Sequence, residues 1–518
     1  MLIIDSHTHV QNIPGHDWDS PPERLIPLLD QAGIHAAVIM GYGEGSRENP
    51  GLVEEMKAAA RSFPGRLLPM ARLLPCESAP EYLKHLVRDE GFLGLKLHPV
   101  GYRLAPDHPL VLDLLKMAGH LCVPTLFHCG DEEHSYPLQI ARAARLCPKS
   151  RIILGHMGGY FHVNDAILVA KENPNVYLET SAMPYPHYIR DAVRALGARR
   201  VLFGSDGPGC LPALELEKVL LAGLDKDDLE WILGKSYLKL LLPENREPLE
   251  ALSTKKFVSP EAWHNDLEVF DHRIHLACEQ RIKDAPLASR RLLGAAIDEI
   301  IVETRANGVK SGNLIPGFCR SGYFEANEYV LKVSIENGFQ PVARVNPMDS
   351  NCLAQALGWG KERKIRAVFV HPFEDGFCAN DERVVQLANE LAPDGVTFIV
   401  AAGYPLGSML GQLESLAQLA PETRIIATSA GQIDICGSHL EEAMEVFRRN
   451  SNLVAETSGI YRQDFIEALV KRLGPDRVIF GSGYPHYHMA FETRRLAWLD
   501  LDRKQVARIC SAPSPKVD

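Results

Sequence analysis

His7 and His9 stand two residues apart at the end of the first strand, which opens on the apolar run Leu2-Ile3-Ile4. Alternate residues of a strand share one face, so this spacing lets two imidazoles reach the same point. Neutral imidazole is the commonest protein metal ligand, and a pair so placed can chelate one ion. An isolated His-x-His is as readily incidental as functional, but this pair has company. Lys96 and His98, His128, His156 and Asp206 each follow a short apolar run at its C-terminal end, and Arg72 closes another. Four histidines and an aspartate gathered at one place without function would be costly to bury. The chemistry such a set supports is metal binding together with general acid–base catalysis. Arg72 is a weaker candidate, for an anionic part of a substrate.

The elements that must position these groups alternate between apolar runs and helical patterns, the signature of a parallel sheet. Strands are expected at Leu2–Ile4, Ala36–Met40, Leu67–Leu73, Leu93–Leu97, Thr125–Phe127, Ile152–Leu154, Val176–Leu178 and Val201–Phe203, with helices such as Pro50–Phe63 and Pro109–His120 between them. Eight βα units in about 240 residues match a (β/α)8 barrel, whose chemistry sits at the C-terminal ends of its strands.

The unit is used twice. Ile3-Ile4-Asp5-Ser6-His7-Thr8-His9 aligns with Val269-Phe270-Asp271-His272-Arg273-Ile274-His275, and Leu97-His98-Pro99 with Val370-His371-Pro372. Asn175 with Glu179-Thr180-Ser181 aligns with Asn452 and Glu456-Thr457-Ser458, and Gly204-Ser205-Asp206 with Gly481-Ser482-Gly483. Two tandem TIM-type barrels are therefore expected, over residues 1–245 and 266–518. The linker is 246–265, within the polar stretch Pro243–Asp266.

Composition narrows the function. The chain of 518 residues carries 55 Lys and Arg against 66 Asp and Glu, a net charge of −11. With no basic cluster it offers nucleic acid no footing. Eleven cysteines without a CxxC pair argue against a disulfide framework or a cysteine-rich zinc site. The uncharged stretch from Gly395 to Leu413 is long enough to span a membrane on count alone, but Gly403, Tyr404, Pro405, Gly407 and Ser408 break it. A cytoplasmic protein acting on a small molecule, without nucleic acid or membrane as partner, is expected.

The motifs Asp5-Ser6-His7-Thr8-His9, Gly94-Leu95-Lys96-Leu97-His98-Pro99, Phe127-His128-Cys129-Gly130, Gly155-His156-Met157-Gly158-Gly159 and Gly204-Ser205-Asp206 resemble the amidohydrolase superfamily, in its branch containing aminocarboxymuconate semialdehyde decarboxylase. The resemblance spans residues 1 to about 242 and departs from the usual Leu-Gly-Asn-Ala at Lys235-Ser236. It implies that His7, His9, His128 and Asp206 hold one divalent ion, zinc most often. His156 would be the acid/base, and Asp206 would also take the proton of the attacking water. The alternative it leaves open is a pair of ions bridged by carboxylated Lys96, which could instead contact a substrate anion, as could Arg72 or His98. The branch contains hydrolases, decarboxylases and hydratases. Hydrolysis of an amide, lactone or related C–N or C–O bond is the leading expectation, decarboxylation of a small carboxylic acid the second, and a non-catalytic binding scaffold the third.

The second copy has lost these groups. His7 becomes Arg273, Lys96 becomes Phe369, His128 becomes Ala401, His156 becomes Ser429 and Asp206 becomes Gly483, while His9 persists as His275. One imidazole does not hold a metal, so the second barrel reads as a pseudoenzyme, in the place a homodimer partner takes in single-barrel relatives.

Overall fold

The computed structural model describes residues 1–13, 18–250, 252, 267–278, 293–320, 322–362, 364–435 and 439–512. The chain divides into two compact units, Met1–Ser259 with Asp434–Cys436, and Pro260–Ile433 with Gly437–Asp518. Each is a ring of parallel strands in chain order.

In the first unit the strands are β1 Ile4–His9, β2 Ala36–Met40, β3 Leu67–Pro69 and Ala71–Arg72, β4 Leu95–Leu97, β5 Pro124–Phe127, β6 Arg151–Leu154, β7 Val176–Glu179 and β8 Val201–Leu202. Strand β3 breaks at Met70, where pairing passes from β2 to β4: Met70 N–H donates to Ile39 O and Ala71 N–H to Gly94 O. The ring closes where Ser6 N–H donates to Phe203 O at 3.0 Å and Thr8 bridges Gly207 in parallel. Ile4, Val38, Leu68, Leu126, Ile153 and Leu202 pack in one buried cluster.

The second unit repeats the ring as β9 Val269–Leu276, β10 Val309–Pro316, β11 Gln340–Arg344, β12 Ala367–Val370, β13 Thr397–Val400, β14 Ile425–Ala427, β15 Leu453–Glu456 and β16 Val478–Ile479. His272 N–H to Phe480 O, 3.0 Å, and the bridge between Ile274 and Tyr484 close it.

Two expectations are corrected. The first strand covers Ile4–His9, not Leu2–Ile4, because Asp5, Ser6, His7 and Thr8 are fully buried although polar. The stretch taken as linker opens with a helix, Pro243–Glu250, since Leu249 joins Leu240 and Leu241 in the first core. Among the described residues no helix is long and apolar enough to cross a membrane; Gly395–Leu413 divides between β13 and the helix Leu410–Leu419.

Candidate metal centre and active site

The pairing of β1 with β2 shifts register between Asp5 and Thr8, an irregularity that re-aims the side chains around it. Asp5 takes up the backbone this leaves, accepting from His7 N–H at 3.2 Å, Ser205 N–H at 2.9 Å and the Ser205 hydroxyl at 2.5 Å. Burial pushes its carboxyl up to about 8. The result is that His7 and His9 both face Asp206, which follows β8. His9 Nε2 lies 3.1 Å from Asp206 Oδ1 and His7 Nε2 lies 3.6 Å from it. Asp206 itself is held at φ 62°, its N–H donating to His7 O at 2.8 Å. Such a left-handed backbone costs of order 1–3 kcal/mol and persists where the surroundings impose it.

His7, His9 and Asp206 form one group whose ligand atoms lie within 4.8 Å of one another, and His7, His156 and Glu179 form a second. Glu179, at the end of β7, organises both. Its Oε2 sits 3.0 Å from His7 Nδ1 and accepts from Ser181 Oγ at 2.9 Å and His156 N–H at 3.2 Å. Ser181 Oγ also lies 2.9 Å from His156 Nδ1. The carboxylate reaches this position because the neighbouring residue is Gly204, where any side chain would overlap it. Nothing in the local pattern around Glu179 marked this role; its repetition at Glu456 was the one available signal.

Burial lowers the proton affinity of His7, His9 and His156, so their imidazoles are neutral and offer lone pairs. Burial acts against Asp206 ionising, but the His9 hydrogen bond and the neighbouring His7 hold its carboxyl well below the usual range. Two neutral imidazoles and a carboxylate are a donor set that fits a divalent transition-metal ion. With Nδ1–H of His7 directed at Glu179, its Nε2 carries the lone pair, and Lys96 Nζ stands 2.9 Å from that atom. Burial, and then the charge of Arg72, bring the Lys96 ammonium down to about 7.

The structure places His128 beside this group rather than in it. Its Nε2 is 3.1 Å from both carboxylate oxygens of Glu132, its Nδ1 is 3.2 Å from His156 Nε2, and its ring stacks on His98 at 4.3 Å. Burial would raise the Glu132 carboxyl, but His128 beside it brings it down to about 2. His98 lies against that pair, its Nδ1 accepting from Gly101 N–H at 3.0 Å. Arg72 is spent locally: it donates to Glu44 at 2.8 and 3.2 Å and to Gly41 O at 3.2 Å. Its charge is thus already matched within the protein. Glu44 and Glu132 lie on loops, where no spacing rule reveals a partner.

Comparison with known proteins follows from this geometry. The amidohydrolase family model matches residues 4–237 and 305–512. Among solved structures, 5-carboxyvanillate decarboxylase from Sphingomonas paucimobilis is 13% identical over 47% of this chain and 97% of its own, with a TM-score of 0.41. The 2,6-dihydroxybenzoate decarboxylase from Rhizobium is 18% identical over 46% and 98%, with a TM-score of 0.37. A dihydroxybenzoic acid decarboxylase from a Polaromonas species, solved with bound manganese, is 18% identical over 48% and 99%, with a TM-score of 0.38. No curated protein matches the chain.

Proposed function

Because the chain belongs to the amidohydrolase family, whose members are metal-dependent enzymes, we propose that its first barrel hydrolyses a C–N or C–O bond, as in an amide or lactone, of a small molecule. The observation that carries this reading is the convergence of His7, His9 and Asp206 within 4.8 Å. Zinc suits these nitrogen and oxygen donors, and a bound divalent ion supplies Lewis acidity toward a carbonyl or water oxygen.

The remaining work falls to side chains. Glu179 fixes the tautomer of His7 and, through Ser181, the ring of His156. Asp206, ionised, accepts a proton from the attacking water. His156, neutral, takes that proton from Asp206 at Nε2 and delivers it to the leaving atom, which leaves both groups as they began. The contact of that Nε2 with His128 Nδ1, and of His128 Nε2 with Glu132, gives the proton a route outward to a partly exposed carboxylate.

Hydrolysis is preferred over decarboxylation on one observation: the guanidinium of Arg72 is already paired with Glu44. The anion clamp that a carboxylic acid substrate requires is then left to Lys96 alone. We propose one ion per chain, held by His7, His9 and Asp206. Metal-loaded protein presented with amides, lactones, and aromatic and unsaturated carboxylic acids should release carboxylate from the first two. Release of CO2 from the acids, with the amides and lactones untouched, would replace hydrolysis by decarboxylation.

A further inference from the structure

The second barrel has a cavity of about 460 Å³ at the C-terminal ends of β10, β11 and β12. Barrel proteins bind ligands at this end of their strands. Arg344, the last residue of β11, lines it and is 1% exposed. The ring of Tyr323 covers the guanidinium at 4.7 Å, Phe369 at 5.5 Å and Phe318 at 5.6 Å. Its Nη2 donates to Glu374 Oε2 at 2.6 Å and to Asp375 Oδ2 at 3.2 Å. Among the described residues its Nε, which is buried, has no hydrogen-bond partner. A buried N–H left unpaired costs the full desolvation of that group, so the guanidinium keeps donor capacity that the chain does not meet.

Comparison across the repeat sharpens this. Arg72 and Arg344 occupy the same place, the last residue of the third strand in each barrel. Their counter-ions do not correspond: Glu44, before the third strand, serves Arg72, and Glu374 with Asp375, after the fourth, serve Arg344. An ion pair kept only for the fold would keep both partners. What survives here is the guanidinium, and in the second barrel it borders open volume.

We propose that this cavity binds a small, uncharged, planar molecule through a carbonyl oxygen that accepts from the guanidinium of Arg344. The two carboxylates at Nη2 already match the guanidinium charge, so a carboxylate ligand would be repelled by Glu374 and Asp375. A cationic ligand would meet Arg344 itself, with Arg320 also among the lining residues. The aromatic rings of Phe318 and Tyr323 in the wall suit a flat, unsaturated skeleton.

Benzamide, benzoate and benzamidine share one shape and differ in charge, and titration of the full chain with each tests the proposal. Benzamide should bind at least about ten-fold more tightly than either ion, a gap of about 1.4 kcal/mol. Arg344→Lys should abolish that preference. Because it disturbs a buried network, Gln355→Trp provides a second variant, filling the cavity from its rim while leaving the Arg344 pairs intact; benzamide affinity should again fall at least about ten-fold. Asp206→Ala, in the other barrel, should leave binding unchanged. No binding of benzamide, a preference for benzoate or benzamidine, survival of binding in Gln355→Trp, or its loss in Asp206→Ala would each overturn the assignment.

Discussion

The two barrels share a skeleton and differ in the side chains gathered at their mouths. Asn175 Nδ2 donates to the carbonyls of Ala144, Cys147 and Ser150; Asn452 Nδ2 does the same with Ala417, Ala420 and Thr423. Asp271 accepts from Arg273 N–H and Ser482 N–H, as Asp5 does from His7 and Ser205. The turn after β6, with His156 at φ 61° and Met157 at φ 48°, is matched after β14 by Ser429 at 52° and Ala430 at 47°. The carboxylate of Glu456 accepts from Ser429 N–H at 3.0 Å, as Glu179 accepts from His156.

What changed is the partner of that carboxylate. In the first barrel it is His7; in the second it is Arg273, 3.5 Å from Glu456 Oε2 and 3.0 Å from Ser458 Oγ. A fixed cation stands in the neighbourhood where the first barrel gathers metal donors. Phe369 and Ala401, in the positions of Lys96 and His128, join the apolar interior with Ile399, Ile426 and Val454. The loss of the donors thus left the hydrogen-bonded frame intact, and the frame does not depend on an ion for its integrity.

The largest contrast is expected at the donors themselves. His9→Ala and Asp206→Ala should each abolish metal binding and bring turnover to background, because two remaining donors do not hold an ion in competition with water. His275→Ala should change neither. Elemental analysis of the purified variants checks this, and equal metal loss in all three would move the centre elsewhere.

Next in size is His156. His156→Gln should retain the metal while turnover falls by about 10²–10⁴, the usual worth of a general acid–base group. The matching change Ser429→Ala should leave turnover as it was. Metal lost together with activity in His156→Gln would make His156 a ligand and revive the two-ion arrangement with Lys96.

Of the three proposed ligands, Glu179 touches His7, at Nδ1. Glu179→Gln should weaken metal affinity by about 10–100-fold, as other partners that orient metal-bound histidines do. Competition with a chelator measures it. Affinity equal to the parent would reduce Glu179 to a purely structural carboxylate, like Glu456.

Much of this was legible from residue order. Ala36–Met40 and the helix Pro109–His120 were bounded to the residue, because each is apolar in a pattern that burial alone explains. His7, His9 and Asp206 could be placed together because a barrel brings the C-terminal ends of its first and last strands side by side. Asp5 through Thr8 were missed as strand because their burial rests on paired hydrogen bonds that hydropathy does not register. The pairing of Arg72 with Glu44, across 28 residues of chain, and of His128 with Glu132 depends on how loops return over the barrel mouth. Glu179 was visible as a repeated residue, but only its neighbours in space, Gly204, His7 and His156, gave it a task.

The smallest effect on turnover, and the finest test of the comparison, lies at Ala182 and Gly459, equivalent residues after β7 and β15. Both are left-handed, at φ 60° and 69°. Ala182 bears that backbone with its N–H donating to Glu215 Oε2 at 3.0 Å. Ala182→Gly relieves about 1–2 kcal/mol of left-handed strain and forfeits about 0.5–1 kcal/mol through the freer unfolded chain, so stability should stay at or slightly above the parent. Gly459→Ala meets a different neighbourhood. A methyl group there would overlap the Tyr487 ring, and a side chain at Gly483 would come within 2.7 Å of Tyr487 Cδ2. Tyr487 aligns with Cys210, so a large ring covers the backbone where the first barrel carries a small thiol. Overpacking of this kind costs about 1–3 kcal/mol beyond the backbone term. Calorimetric unfolding should therefore show Gly459→Ala clearly destabilised while metal content remains that of the parent. Equal and opposite changes at the two positions would mean that only the backbone differs, and that the second mouth has not closed around Tyr487.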